Sequence, residues 1–321
     1  MGRGFALLLI VLATGWAVAA LHFDLLSGSS LRTFVASGYG IAMLGTLLAL
    51  RGRGKGIAIC VAGFALVLVW WLTLKPSNDR TWQPDVAQTA WADIDGDHVT
   101  IHNVRNCDYR TEGDYTPHWE IRSFDLSQIR GMDILMTYWG SPWIAHPIVS
   151  FQFGDNDYIA MSIETRKEVG KEYSAVRGFF RYYELIYTVS DERDVVRLRT
   201  NYRKGEETYL FHTRATPEHA RVTFLNYLEK INRIRSRPEW YNALTNNCTT
   251  NIAALTGEPQ WDWRVLLNGR ADQMLYEQGD LATGNLSFAQ LKEQAHINAA
   301  ARAAGDAPDF SRRIREERAG F

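Results

Sequence analysis

Leu244-Thr245-Asn246-Asn247-Cys248-Thr249-Thr250 is the stretch on which the reading of this chain turns. Helix-capping residues crowd ahead of a cysteine, and an apolar run through Ile252 to Leu255 follows, closed by Gly257. Thr245 or Asn246 is a natural N-cap, because its side-chain oxygen can accept from an N–H left over at a helix start. A helix is therefore expected from near Asn247 to Gly257. Cys248 then falls in its first turn. There the helix dipole and the free backbone N–H groups favour a thiolate, and the same groups can hold an oxyanion formed when sulfur attacks a carbonyl. From position alone, a buried structural cysteine fits as well.

Outward from this point the pattern sorts into strands before and helices after. Between Pro217 and Arg235, Phe224, Leu225, Leu228, Ile231 and Ile234 recur at helical spacing, with Pro217 where a first turn accepts proline. Further upstream, short runs with strand character cover 99–104, 134–139, 144–153, 158–163, 184–189, 195–200 and 208–212. Asp95-Gly96 and Gly154-Asp155-Asn156-Asp157 are turns by composition. Asp191, Glu192, Arg193 and Asp194 read as a charged turn between strands, and Glu206 and Glu207 with Lys204 as a hairpin tip. The tail over 286–318 reads as helical and polar, with a break at 305–308. Arg312, Arg313, Arg315 and Arg318, interleaved with Glu316 and Glu317, read as a solvated face. The class is α+β, an antiparallel sheet followed by helices.

The N-terminal quarter is a different material. Apolar runs at 5–21, 33–50 and 57–74 are each long enough to cross a membrane as a helix, which takes roughly 17–25 residues. Arg51, Arg53 and Lys55 crowd the turn between the second and third runs, so that turn is expected on the cytoplasmic side. Arg3 agrees, and everything after Lys75 is then outside. Trp70, Trp71 and Trp82 fall where an outer interfacial belt belongs. Pro76 and Pro84 mark a linker. The expected organisation is a membrane module at 1–75, a linker at 76–90, a catalytic domain at 91–265 and a helical C-terminal extension at 266–321.

Composition narrows the function classes. Lys and Arg number 35 and Asp and Glu 36 in 321 residues, a formal net charge of -1. That excludes the basic excess on which nucleic-acid binding rests. Cys60 reads as a small hydrophobe inside the third run. Cys107 and Cys248 could pair in an oxidising compartment, but their spacing is no disulfide framework. No Cys/His cluster has zinc spacing, and His98 and His102 read as exposed strand histidines. Neither a metal nor a cofactor is expected.

A thiolate nucleophile wants a base. His146 lies in Trp143-Ile144-Ala145-His146-Pro147-Ile148-Val149-Ser150-Phe151, where a polar ring among apolar neighbours needs a reason. A satisfied core histidine is the plainer one. Pro147 suggests an edge position or a bulge. If 154–156 is the loop joining Phe153 to Asp157, His146 faces Glu164 on the same side. A loop one residue longer puts Thr165 opposite instead. Ser162 shares the face of Glu164 and is the fallback. Glu164 beside Arg166 and Lys167 also reads as a surface ion pair.

Several blocks taken together resemble a known family. They are Asn103-Val104-Arg105-Asn106, Asp108-Tyr109-Arg110, Tyr138-Trp139-Gly140-Ser141 leading into His146, Ser162-Ile163-Glu164-Thr165-Arg166, and Tyr241 through Thr250. Over roughly 91–263 the chain resembles the Lnb N-terminal periplasmic domain family of bacterial envelope proteins. The resemblance implies a circularly permuted papain-like fold, related to NlpC-type cell-wall peptidases and lecithin:retinol acyltransferase-like enzymes. It implies a catalytic Cys248, His146 and Glu164, with Asn247, Thr249, Ser162 and Arg166 as supporting or substrate-binding positions. It also implies acyl transfer through a thioester on Cys248, from a membrane phospholipid to the N-terminal amine of a lipoprotein. The expected location is a bacterial inner membrane, crossed several times, with the C-terminal domain in the periplasm. The three-span module is not part of the resembling domain and can signal another substrate. The alternatives are a lipid-acting hydrolase, a cell-wall peptidase or amidase with a polar groove, and a non-enzymatic envelope protein.

Overall fold

Apolar length builds the first part of the chain. The structure is a computed structural model that describes residues 2–25, 29–50, 53–257, 262, 264 and 268–321. Arg51, Trp263 and the expected boundary at 265/266 lie outside the described residues, as does the side chain of Arg3. Helices α1 (Gly2–Asp24), α2 (Ser29–Ala49) and α3 (Gly54–Thr73) are each long and apolar enough to cross a membrane. They belong to one of two compact units, made of Met1–Ser77, Tyr173–Glu184 and Trp240–Ala243. Small residues let these helices approach: a Cβ on Gly40 would meet Val18 at 3.1 Å, and one on Gly63 the sulfur of Met43 at 2.9 Å.

A segment remote in sequence completes this unit. Asp24, at the end of α1, accepts from the Trp71 indole at 2.7 Å and from the backbone N–H of Arg181 at 3.2 Å. The Arg181 guanidinium donates to the carbonyls of Trp71 and Leu74 and lies 4.0 Å from the centre of the Trp71 ring. Phe180 packs among Ala17, Ala20, Leu21, Ala36 and Val67. No periodicity in the sequence announced this attachment.

The second unit, Asn78–Glu172, Leu185–Glu239 and Leu244–Phe321, is α+β as expected. Its strands are β1 (Trp91–Asp95), β2 (His98–Arg105), β3 (Asp108–Tyr109), β4 (Tyr115–Thr116), β5 (Trp119–Asp125), β6 (Ile129–Trp139), β7 (Ser141–Phe153), β8 (Asp157–Arg166), β9 (Glu184–Ser190) and β10 (Glu206–His212). An eight-stranded sheet runs β1-β2-β9-β8-β7-β6-β10, with β5 paired to β2. Its β1–β2, β2–β5, β6–β7, β7–β8 and β6–β10 ladders are antiparallel, and β2 meets β9 in parallel at Arg105↔Ser190. Phe153 pairs with Asp157, so 154–156 is the turn, and Gly154 takes the left-handed φ of +57° that the reversal requires.

Both faces of the sheet are covered. On one, Leu135, Ile148, Ala160 and Leu210 pack against Val195, Val196, Ile297, Ala301, Phe310 and Ile314. On the other, Phe151 and Phe153 meet Phe224 of α5 (Pro217–Ser236) at ring distances of 5.0 and 5.2 Å. Beside them, Ile134, Met136, Ala145 and Phe211 pack with residues of α7 (Ala271–Gln278) and α8 (Phe288–Ala295).

Four readings need correction. The run 195–200 is not a strand: α4 (Glu192–Arg197) continues into a wider turn at Leu198–Tyr202. The supposed charged turn is its start. Asp191 caps the helix by accepting from the N–H of Arg193 at 2.8 Å, and Glu192 and Asp194 are fully buried. Asp194 pairs at 2.7 Å with the buried Arg105, and this tertiary partner overrides the β-branched propensity of Val195 and Val196. Second, Glu206 and Glu207 begin β10 after that helical turn, so they sit at no hairpin tip. Third, Arg315 is not on a solvated face: it is buried, paired with Asp133 at 2.8 Å and Glu192 at 2.7 Å. The stretch after 266, through α9 (Asn298–Ala304) and α10 (Phe310–Arg313), therefore supplies half of one core rather than an extension laid over it. Fourth, much of the linker is packed. Trp82 and Val86 are buried against Ile186.

Candidate active site

Helix α6 (Cys248–Thr256) begins at Cys248 itself. Its N-cap is Asn247, one residue beyond the expected Asn246, because a reciprocal pair of bonds forms there. The Asn247 side chain accepts from the N–H of Thr250 at 2.9 Å, and the Thr250 hydroxyl accepts from the N–H of Asn247 at 3.0 Å. Gly257 closes the helix with a φ of +82°. The cap spends the third N–H of the helix and leaves those of Cys248 and Thr249 beside the sulfur.

Those donors do not make a resting thiolate. Burial raises the Cys248 thiol above its ordinary value, while the Thr249 hydroxyl and the N–H groups of Thr249 and Cys248 pull it back. The helix-start donors favour the thiolate as expected, and desolvation outweighs them. The sulfur lies 3.8 Å from the Thr249 hydroxyl and 3.9 Å from the side-chain amide of Asn268.

His146 stands on β7, paired with Thr137 of β6. Pairing of β7 with β8 ends at Ile148↔Ser162, so the ladder is open at the level of His146 and Glu164, where Pro147 has no N–H to give. The register that brings Phe153 to Asp157 carries His146 towards Glu164, as expected, but Ser162 stands between. His146 Nε2 and Ser162 Oγ are 2.7 Å apart, Ser162 Oγ donates to Glu164 Oε1 at 2.8 Å, and Nε2 is 3.7 Å from the same carboxylate oxygen. Burial alone would raise the carboxyl of Glu164, but Arg199, 3.4 Å away, and its other cationic neighbours hold it well below the usual carboxylate range.

These distances fix the tautomer. The ionised carboxylate can only accept, so the one proton of Ser162 goes to Glu164. Ser162 then accepts from His146, and Nε2 carries the hydrogen. Burial first, then the charge of Arg199, bring the imidazole from 6.5 down to about 3. The ring is therefore neutral with its lone pair on Nδ1, while burial and Arg199 oppose its protonated form at rest.

The thiol and the imidazole are not hydrogen-bonded to each other. Alternation puts His146 on the face of Ile148 and Ser150, whereas Pro147 and Val149 line a cavity beside α6. What links the two elements is Asn268, which the sequence reading missed. Its Oδ1 accepts from the N–H of Ala145, next to His146, at 2.9 Å, and its Nδ2 donates to the Thr249 hydroxyl at 2.8 Å. The only local signal was an Asn-Gly pair, which marks a turn and says nothing about what the turn faces.

The cavity is about 150 Å³. Ile134, Pro147, Val149, Ile252, Ala253 and Met274 supply its apolar wall, and Thr249 brings it next to the sulfur. Arg166 is elsewhere. Its guanidinium donates to the carbonyls of Val86 and Ala87 and to Asn78, and lies 4.2 Å from the centre of the Trp82 ring, so it clamps the former linker to the sheet. Cys60, Cys107 and Cys248 are all free. Among the described residues, no group of three His, Cys, Asp or Glu is placed to hold a metal ion.

An α+β domain with a cysteine opening a helix and a histidine on a strand, behind three membrane-length helices, defines the class. Residues 115–269 match the family described as the Lnb N-terminal periplasmic domain. The match begins at Tyr115, later than the resemblance in the sequence suggested, and extends through Asn268. Family and helices together describe a membrane-anchored protein with a periplasmic domain. No curated protein and no solved structure matches the chain.

Proposed function

We propose that this protein is a multi-pass, membrane-anchored thiol acyltransferase or lipid-acting hydrolase that works through a thioester on Cys248, with a phospholipid as acyl donor. The observation that carries the reading is the apolar cavity against Thr249, since an acyl chain needs an apolar wall beside the nucleophile and a peptide needs a polar groove. Arg53, the N-cap of α3, and Lys55, in its first turn, support the multi-pass orientation, with the domain outside.

The chemistry starts from a neutral pair. As Sγ attacks the ester carbon, its proton passes to His146 Nδ1, and the carbonyl π electrons move onto oxygen. The two groups share no hydrogen bond before substrate binds, so this transfer requires them to come together in the complex, directly or through one water. The N–H of Cys248 faces the developing oxyanion. Collapse expels the alcohol of the lysolipid, which takes the proton from the imidazolium and leaves the thioester. An amine, such as a lipoprotein N-terminus, or water then attacks, and its proton returns by way of His146 to the departing sulfur. Ser162 and Glu164 hold the ring and stabilise the imidazolium.

The test is mass spectrometry of detergent-solubilised protein incubated with phospholipid. An acyl adduct on Cys248, cleaved by hydroxylamine and lost in Cys248→Ala, is the expected result. A Cys248 that reacts with thiol reagents but takes no acyl group from any phospholipid would sink the reading in favour of a peptidase. A Cys248 inert to both would favour a structural cysteine.

A further inference from the structure

We infer that Asn268 is a catalytic residue of the proposed reaction, the side-chain donor of the oxyanion site, delivered there by the turn Asn268–Arg270. The inference rests on the thioester reading above. Asn268 Nδ2 carries two hydrogens. One is directed at the Thr249 hydroxyl, 2.8 Å away, and the amide nitrogen also stands 3.9 Å from Sγ. An oxygen on the carbon that Sγ attacks would lie between the sulfur and this amide, at the ~3 Å such donors require. The backbone N–H of Cys248 is the second donor.

The turn is built to hold this amide still. A Cβ on Gly269 would fall 2.3 Å from the carbonyl oxygen of Pro142 and 2.7 Å from the nitrogen of Ile144. Only glycine lets the turn lie this close to β7. The Gly269 carbonyl accepts from the Tyr138 hydroxyl at 3.2 Å, and the Arg270 guanidinium lies 5.0 Å from the centre of the Trp143 ring. Asn268 Oδ1 is tied to the N–H of Ala145 at 2.9 Å. Both ends of the amide are thus fixed before substrate arrives, which is what makes an oxyanion donor effective.

Two probes separate this role from packing. Acylation by p-nitrophenyl butyrate passes through a tetrahedral oxyanion whatever the natural donor is. Alkylation by iodoacetamide is a displacement at carbon with no oxyanion. Asn268→Asp keeps the acceptor for Ala145 and loses the donor, and Asn268→Ala loses both. With rates corrected for the thiolate fraction, acylation of the full-length protein should fall about 10²–10³-fold in both variants, while alkylation stays within a few-fold. Equal losses with the two probes in Asn268→Asp, or no loss with either, overturn the inference. Failure of phospholipid to acylate Cys248 while the ester probe still does, with its loss in the variants, would remove the proposed donor and leave Asn268 in place. Silence of wild-type Cys248 towards both probes overturns both.

Discussion

Cys107 and Cys248 are both buried and both free, yet their surroundings divide them. Cys107 follows β2 among Tyr109 and Leu198. Burial and the charge of Asp194 push its thiol up to about 12, and its own N–H is spent on Asp194 at 2.6 Å. Cys248 is desolvated too, but the Thr249 hydroxyl and the helix-start N–H groups pull the other way. Burial decides that a thiol rests protonated. The donors left beside it decide whether charge can develop there. At Cys107 the His118 N–H and the charge of Arg105 pull down, but burial and the Asp194 carboxylate beside it prevail; Cys248, at the start of a helix, has two N–H groups and a hydroxyl beside it.

The strongest way to break this comparison is to exchange the losses. Cys248→Ala should abolish the hydroxylamine-sensitive adduct, while Cys107→Ala should keep it and show only a lowered melting temperature. An adduct that persists in Cys248→Ala would move the chemistry elsewhere. Next in size is Ser162→Ala, which cuts the link from His146 to Glu164. Ester acylation should drop about 10- to 100-fold, the scale on which outer partners of a working histidine matter. An unchanged rate would mean that Ser162 only fills space.

The pH dependence of stability sharpens the comparison from the side of the base. His146 titrates near 6.5 when unfolded and at about 3 in the fold, so between those values the unfolded chain binds more protons. Stability from this group is complete above 6.5 and is lost as pH falls towards 3. Glu164, also depressed, adds to the loss below the ordinary range of a glutamate. Urea midpoints should therefore decline below pH 6.5, and His146→Gln should flatten the upper part of that decline. A parallel curve would show that His146 does not titrate in that window. The smallest expected effect is that of Asn247→Ala, which removes the cap of α6 at a cost of about 1 kcal/mol, measurable by urea unfolding.

Much of this was legible in the chain. Residues 144–153 and 158–163 fall within observed strands, the Gly154 turn set the register, and the helix from Cys248 to Gly257 stands where its cap and glycine placed it. Local signals suffice where a period or a cap is strong. They fail where the decisive partner is remote. Asp194 meets Arg105 and Arg315 meets Glu192 across long stretches of chain, so a buried network looked like a surface turn and a solvated helix. Arg166 sits two residues beyond Glu164, yet its guanidinium is spent on the segment around Val86. Asn268 was invisible for the same reason, since nothing near it in sequence names Ala145 or Thr249.

The protonated state of Cys248 has a consequence for survival outside the cytoplasm. Peroxide and thiol–disulfide exchange both act on thiolates that they can reach. A sulfur that is buried and holds its proton more tightly than a free thiol offers less of either. In an oxidising compartment, where an exposed low-pKa cysteine would be converted to sulfenic acid or a mixed disulfide, the desolvation that makes this thiol a poor resting nucleophile also keeps it reduced.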